Sequence, residues 1–240
     1  MESPVTCIAL RTVKYSDKSS ISTIWTREFG RMAVTTPSGS GREAQRRRAI
    51  MMPMCAFEAI ADVRPGKEIG RLKDVRPIGA GQITNPAAAA IAMFLADFLY
   101  AALKDSGPDR ALSDFLIEMS AELKKTKGNA LANFHLSFMY RLSVFLGIEP
   151  DMGTYAPGRF FDMREARFVK TPPLHQHALD PDRAQALHAL SRLRPKSLRL
   201  MKLNRLQRNE MLDRILEYYT LHYARLSNLP SLAVVRDLFS

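Results

Sequence analysis

The chain has few cysteines, one tryptophan and no long apolar run. Cys7 and Cys55 are the only thiols among 240 residues. Two cysteines exclude a disulfide framework and a four-cysteine zinc site. They fit a reducing compartment, and the cytosol is the expected location. The start, Met1-Glu2-Ser3-Pro4, carries no apolar signal core. The longest apolar stretch, residues 87–100, is interrupted by Asp97. It is shorter than the roughly 20 residues that span a bilayer, and a central Asp costs roughly 3 kcal/mol of insertion. It therefore reads as a buried helix. The P-loop, GxGxxG, GxSxG and HExxH signatures are absent. No catalytic residue and no cofactor are expected, and the chain does not read as an enzyme.

Acids are also scarce, and that shortage points to partners. There are 24 Asp and Glu against 35 Lys and Arg, a formal charge of +11. Such a balance favours polyanions, either nucleic acid or an acidic protein. The excess is uneven. Residues 1–80 carry 14 Lys/Arg against 8 Asp/Glu, net +6. Residues 81–180 carry 10 against 11, net −1. Residues 181–240 carry 11 against 5, net +6. Two basic ends flank a neutral middle. Apolar residues make up 46% of the chain, enough for a true core.

The first eighty residues read as β. Strand-like runs occupy 7–13, 21–26, 31–35, 54–63 and 68–75, with a turn at Arg64-Pro65-Gly66 between the last two. Five short strands in about 75 residues suggest a small barrel. Trp25 alternates with Ile21 and Thr23 and is expected in the core, rather than stacked on bases with Tyr15, Phe29 and Phe57. Beyond Gly81 the period becomes helical. Asn85-Pro86 caps the first helix. Further helices are expected from Asp109, from 129 to 146, after Asp180-Pro181, and from Asn204 to about Leu226. Asn204 with Gln207 has capping-box spacing. Residues 151–173 read as an irregular excursion. The expected class is α+β in two parts. An oligonucleotide-binding (OB) barrel occupies 1–80, and an all-α helical domain occupies 81–240.

Two basic clusters stand out. Gly39-Ser40-Gly41 precedes Arg42, Arg46, Arg47 and Arg48, four arginines in seven residues. Each carries a permanent charge and a planar fork that fits phosphate oxygens. The expectation is a basic turn on the barrel; the plainer alternative is a solvated turn that keeps the protein soluble. The second cluster is Arg192, Arg194, Lys196, Arg199, Lys202, Arg205 and Arg208, with no acid inside it. It reads as a loop feeding the helix at Asn204. Arg205 then falls in the first turn, where the dipole disfavours a cation. That placement suggests phosphate contact; the alternative is again a solubility face. His175 and His177 with Asp162 and Glu165 could be drawn as a metal site, but their spacing is not diagnostic. His135 is expected to be a packing residue.

The order of several motifs resembles the RecO family of recombination mediators. The stretch Ala9-Leu10-Arg11-Thr12-Val13-Lys14-Tyr15-Ser16-Asp17 carries the likeness, as does Ile24-Trp25-Thr26-Arg27-Glu28-Phe29-Gly30-Arg31. Met52-Pro53, Ala132-Asn133-Phe134-His135-Leu136 and Leu146-Gly147-Ile148-Glu149-Pro150 continue it. Phe160-Phe161-Asp162-Met163-Arg164-Glu165 and Leu216-Glu217-Tyr218-Tyr219-Thr220-Leu221-His222 complete it. The resemblance implies an OB barrel and a helical domain acting without catalysis in recombinational repair. It implies binding of single- and double-stranded DNA and annealing of complementary strands. It also implies loading of RecA together with RecR and the acidic tail of single-strand binding protein (SSB). Arg31, Arg42, Arg46, Arg47 and Arg48 match the family's basic barrel surface. Many relatives carry a four-cysteine zinc site, whereas residues 151–173 hold no cysteine. Either the metal is absent or packing around Phe160, Phe161 and Phe168 replaces it. Pro37-Ser38 stands where a lysine–glycine pair is common.

The sequence thus predicts a DNA-binding mediator. Arg31, Arg42, Arg46, Arg47 and Arg48 would contact DNA on the barrel. Lys196, Arg199, Lys202, Arg205 and Arg208 would contact it from the helical part. One rival is an interaction scaffold for an acidic partner peptide, marked by an apolar groove beside the 192–208 cluster. The other is a metal-dependent nuclease using Asp162, Glu165 and His175.

Overall fold

The computed structural model describes residues 2–17, 19–37, 39–62, 69–79, 81–223, 226 and 229–239. The turn expected at Arg64-Pro65-Gly66 and the position of Ser38 lie outside the described residues. The chain divides into two compact units. One is Met1–Lys125 with Leu229–Val235, the other Thr126–Asn228 with Arg236–Ser240.

The first unit is built on a closed five-stranded barrel. Its strands are β1 (Glu2–Lys14), β2 (Ser19–Thr26), β3 (Gly30–Pro37), β4 (Ala56–Asp62) and β5 (Ile69–Pro77). The order around the barrel is β1-β2-β3-β5-β4, with β4 returning to β1. All pairs are antiparallel except β3 with β5, which run parallel through Val34 and Gly70. β1 serves two neighbours along its length, and a register shift between Ala9 and Arg11 lets it bend around the barrel. Gly30 opens β3 with φ +70°, and a Cβ there would lie 3.1 Å from the backbone of Gly107 and Pro108. Only glycine meets both demands.

The interior is filled by Val5, Cys7, Ala9, Ile24, Val34, Phe57, Ala59, Ala61 and Leu72. Helix α1 (Arg42–Ile50) lies in the connection between β3 and β4 and contributes Ile50, followed by Met51, to the same core. Trp25 is buried, as expected, but its neighbour Ile24 takes the interior position. Trp25 faces outward beneath α3 (Arg110–Lys125), where its indole N–H donates to Ser113 Oγ at 2.9 Å. The helix α2 (Pro86–Ala102) precedes α3, and Asn85 caps it by accepting from the N–H groups of Ala87 and Ala88. No helix among the described residues is long and apolar enough to cross a membrane.

The second unit is mostly helical. The expected helix over 129–146 is broken at Asn133 into α4 (Gly128–Ala132) and α5 (Phe134–Phe145). The apolar period runs through the break, so the sequence gives no warning of it. α6 (Pro181–Arg192) and α7 (Arg205–His222) pack with α5, and Tyr219 of α7 donates its hydroxyl to the carbonyl of Met139 at 2.6 Å. A short α8 (Leu232–Asp237) begins in the residues that belong to the first unit and ends in those of the second. The excursion at 151–173 is more ordered than its sequence suggests. It contains β6 (Phe160–Asp162) and β7 (Arg167–Val169), which join β8 (Ala178–Leu179) in a sheet ordered β7-β6-β8. Strands of two or three residues are too short to show a period. Phe161 and Phe168 bury their rings 4.9 Å apart, and Tyr155 stacks on His188 at 3.6 Å.

Candidate nucleic-acid interface

The arginines assigned by sequence to a turn sit on a helix instead. Gly41 takes the N-cap position of α1, and Arg42, Arg46, Arg47 and Arg48 belong to its nine residues. The run Arg-Glu-Ala-Gln-Arg-Arg-Arg-Ala has high helix propensity, and the apolar anchor at Ile50 holds its end in the barrel core. Arg47 and Arg48 fall in the last turn, where the helix dipole favours cations. Arg42, Arg46 and Arg48 are exposed and Arg47 is half-buried. Among the described residues no carboxylate pairs with Arg42, Arg46 or Arg48. Arg47 has only the distant Glu43, at 4.0 Å.

Arg47 and Arg48 form one wall of a cleft of about 530 Å³ on the barrel. Lys14, at the end of β1, also lines it. Its floor is a row of hydroxyls running across β1, β2 and β3. Thr12 Oγ1 lies 2.8 Å from Ser22 Oγ, and Ser22 Oγ lies 3.2 Å from Thr36 Oγ1. Ser22 and Thr36 are buried and satisfied by these contacts, so the floor is polar without carrying charge. Met51 and Met52 add an apolar edge. Asp17 also lines the cleft and pairs with Lys14 at 2.9 Å, so the unpaired positive charge comes from the α1 side, above neutral hydrogen-bonding groups, an arrangement that suits a phosphodiester backbone. Lys14 was not singled out from sequence. Its only sign was the alternation Thr12, Lys14 on the outward face of β1.

Arg31 is placed elsewhere. Its Nη1 donates to the carbonyl of Tyr100 at 2.9 Å, and its guanidinium lies 4.7 Å from the Tyr100 ring. Arg11 approaches the same ring at 5.4 Å. These contacts clamp β1 and β3 to α2, and much of Arg31's bonding capacity is used there.

The second cluster is split by the fold. Lys196 and Arg199 are exposed on a 3-10 turn, Pro195–Leu200, and Lys202 is exposed just after it. Leu200 is exposed between these cations and Leu206 just after them. α7 begins with the expected capping box. The Asn204 side chain accepts the Gln207 N–H at 2.9 Å, and the Gln207 side chain accepts the Asn204 N–H at 3.0 Å. Arg205 in the first turn has a carboxylate partner, Asp237 Oδ1 at 2.5 Å, and its Nε donates to the carbonyl of Arg236. That pair explains a cation at a helix start without invoking phosphate. Arg208 is inside the unit, only 7% exposed. Its Nη2 donates to the carbonyl of Leu203 at 3.0 Å, and its guanidinium lies 5.7 Å from the Phe239 ring. Arg208 is thus set in a recess and is not part of the open basic surface that Lys196, Arg199 and Lys202 present.

His135, on α5, is fully buried, and burial together with the nearby Arg208 charge pushes its pKa down to about 3. The unfolded chain protonates this ring near pH 6.5, while the folded chain keeps it neutral. The stabilising difference is whole above pH 6.5 and is lost as pH falls, by about 1.4 kcal/mol per pH unit. Chemical denaturation between pH 7 and 4 should show this slope, and His135→Leu should flatten it.

The residues drawn as a metal site have structural partners. Asp162 Oδ1 accepts the N–H groups of Arg164 and Glu165 in the β6–β7 turn and lies 3.3 Å from His175 Nε2. His177 Nδ1 meets Glu217 Oε1 at 2.6 Å. Among the described residues no group of three or more potential ligands is arranged to hold a metal. The four-thiolate zinc site of some relatives does not fit this chain, because both cysteines are buried in the barrel unit. Burial pushes both thiols up in pKa, so neither is a ready thiolate.

Residues 1–80 match the family model described as "Recombination protein O N terminal". This is the segment that holds the five barrel strands and α1. Over 235 residues the chain is 35% identical to DNA repair protein RecO of Phocaeicola vulgatus, covering 97% of each chain. It is 34% identical to DNA repair protein RecO of Bacteroides fragilis over the same share. The protein of that name from Porphyromonas gingivalis strain W83 is 31% identical over 239 residues, again with 97% coverage of both. An OB-like barrel followed by helices, joined to these full-length likenesses, establishes that the chain belongs to the RecO family of DNA repair proteins.

Proposed function

We propose that the protein is a recombination mediator that binds single- and double-stranded DNA in the cleft between α1 and the barrel. The observation that carries this reading is Arg47 and Arg48 over a neutral hydroxyl floor, with Arg42 and Arg46 exposed on the same helix and the Lys14–Asp17 pair at the cleft's other side. Cations would neutralise phosphates, a contact that carries no sequence information. Charge neutralisation lets two complementary strands approach, so annealing follows without a chemical step. In this reading the protein acts with RecR, contacts the tail of SSB and helps load RecA.

The test is annealing of SSB-coated complementary strands across a salt series, for the wild type and an Arg46→Ala/Arg47→Ala/Arg48→Ala variant. Three lost phosphate contacts should make the log–log salt dependence of single-strand binding shallower by about 2. Annealing should drop in parallel. Wild-type protein that binds no DNA at low salt would overturn the reading, and intact annealing in the triple variant would remove α1 from it.

One observation favours a second reading, a scaffold for an acidic partner segment. Leu200 and Leu206 are exposed in the same stretch as Lys196, Arg199 and Lys202, which together would suit an acidic peptide with apolar side chains. Competition separates the two: an acidic peptide that abolishes DNA binding favours the scaffold.

A further inference from the structure

Arg208 is a buried cation without a counter-charge. Among the described residues no carboxylate pairs with it, and its Nη1 is buried with no hydrogen-bond partner. Its Nε reaches Asn133 Oδ1 only at 3.4 Å, and Asn133 spends its amide N–H groups on the carbonyls of Leu198 and Met201. Burial lowers the Arg208 pKa, as expected where no anion offsets desolvation. A buried charge left in this state is costly unless an anion joins it.

The surroundings are suited to supply one. Arg208 lines a cavity of about 300 Å³ together with Lys202, Asn129, Asn133 and Asn204. None of the lining residues is acidic. Lys202 has no carboxylate partner among the described residues. Asn204 caps α7, so the cavity opens at the positive end of an 18-residue helix. Two cations, amide groups and a helix N-terminus converge on a space larger than one tetrahedral anion.

We propose that this cavity is an oxyanion site that takes a phosphate group between Arg208 and Lys202 at the start of α7. A guanidinium and an ammonium flanking a tetrahedral anion match phosphate better than a lone planar carboxylate. The group is either free inorganic phosphate or a phosphodiester of a bound nucleic acid. The site stands apart from the barrel cleft and does not depend on it.

The experiment measures the thermal midpoint of the full chain in inorganic phosphate, in acetate and in chloride at equal ionic strength. Wild type should melt several degrees higher in phosphate than in chloride, with acetate close to chloride. Arg208→Gln should abolish the difference. Because that change sits in a core, Lys202→Ala at an exposed position is the second variant and should at least halve it. Asn129→Asp, which places a carboxylate at the cavity wall, should also remove it. The Arg46→Ala/Arg47→Ala/Arg48→Ala variant should keep it. Phosphorus NMR of inorganic phosphate then identifies the source. Displacement of phosphate by a short single-stranded oligonucleotide points to a phosphodiester, and simultaneous binding points to free phosphate. Equal midpoints in phosphate and chloride overturn the proposal, as does an equal effect of acetate. A phosphate effect that survives Lys202→Ala and Asn129→Asp but disappears in the triple arginine variant also overturns it.

Discussion

Trp25→Ala should lower the stability of the first unit by about 3–5 kcal/mol, the range for emptying a large buried aromatic site. The residue is 1% exposed and lies between β2 and α3. Its removal leaves a cavity where the barrel wall meets its covering helix. The indole N–H also joins a short chain of bonds, because Ser113 Oγ donates onward to the carbonyl of Asp109 at 2.6 Å. Trp25→Phe keeps most of the volume and loses only the hydrogen bond, so it should cost about 1–2 kcal/mol. Urea titration followed by circular dichroism measures both. A loss under 1 kcal/mol for the alanine variant would mean that α3 does not depend on this contact. As the only tryptophan, Trp25 also makes selectively excited tryptophan fluorescence a report on the first unit.

The second large effect is expected at Asn133. This residue is 1% exposed and sits between α4 and α5 with φ −98° and ψ 0°. Its amide donates to Leu198 at 3.3 Å and Met201 at 2.7 Å, and its oxygen faces Arg208. Asn133→Leu would strand two buried carbonyls and remove a contact of a buried cation, for a loss of about 3 kcal/mol. A double variant with Arg208→Met should recover part of that loss, since the charge that needed a partner is gone. Strict additivity of the two single effects would show that Asn133 and Arg208 are not coupled.

What the sequence made legible was mostly local. The Asn204–Gln207 capping box and the Asn85 cap depend on residues three apart, and both are present. The strand period of the first eighty residues led to the barrel because one face of each strand must be buried. Sequence missed what depends on distant partners. Ile50 and Met51 belong to the barrel core, and without that knowledge four arginines beside two glycines look like a turn rather than a helix. The burial of Arg208 is fixed by Asn133, 75 positions away, and Arg205 finds its partner 32 positions on. Charge counts alone rank both as surface residues. The same blindness applied to Lys14, whose importance lies in its closeness to a helix more than thirty positions later.

The chain's route through its first unit bears on how it is made. Asp97 of α2 accepts from both the backbone N–H and the hydroxyl of Ser231, the latter at 2.5 Å, and residues 229–235 belong to that unit. During synthesis α2 is therefore complete long before its last partner leaves the ribosome exit tunnel. For the time needed to translate more than a hundred further residues, Asp97 must find its hydrogen bonds in water. The barrel unit is thus finished only when nearly the whole polypeptide has emerged, and a nascent chain stalled short of Ser231 should be the more easily cut by protease within α2.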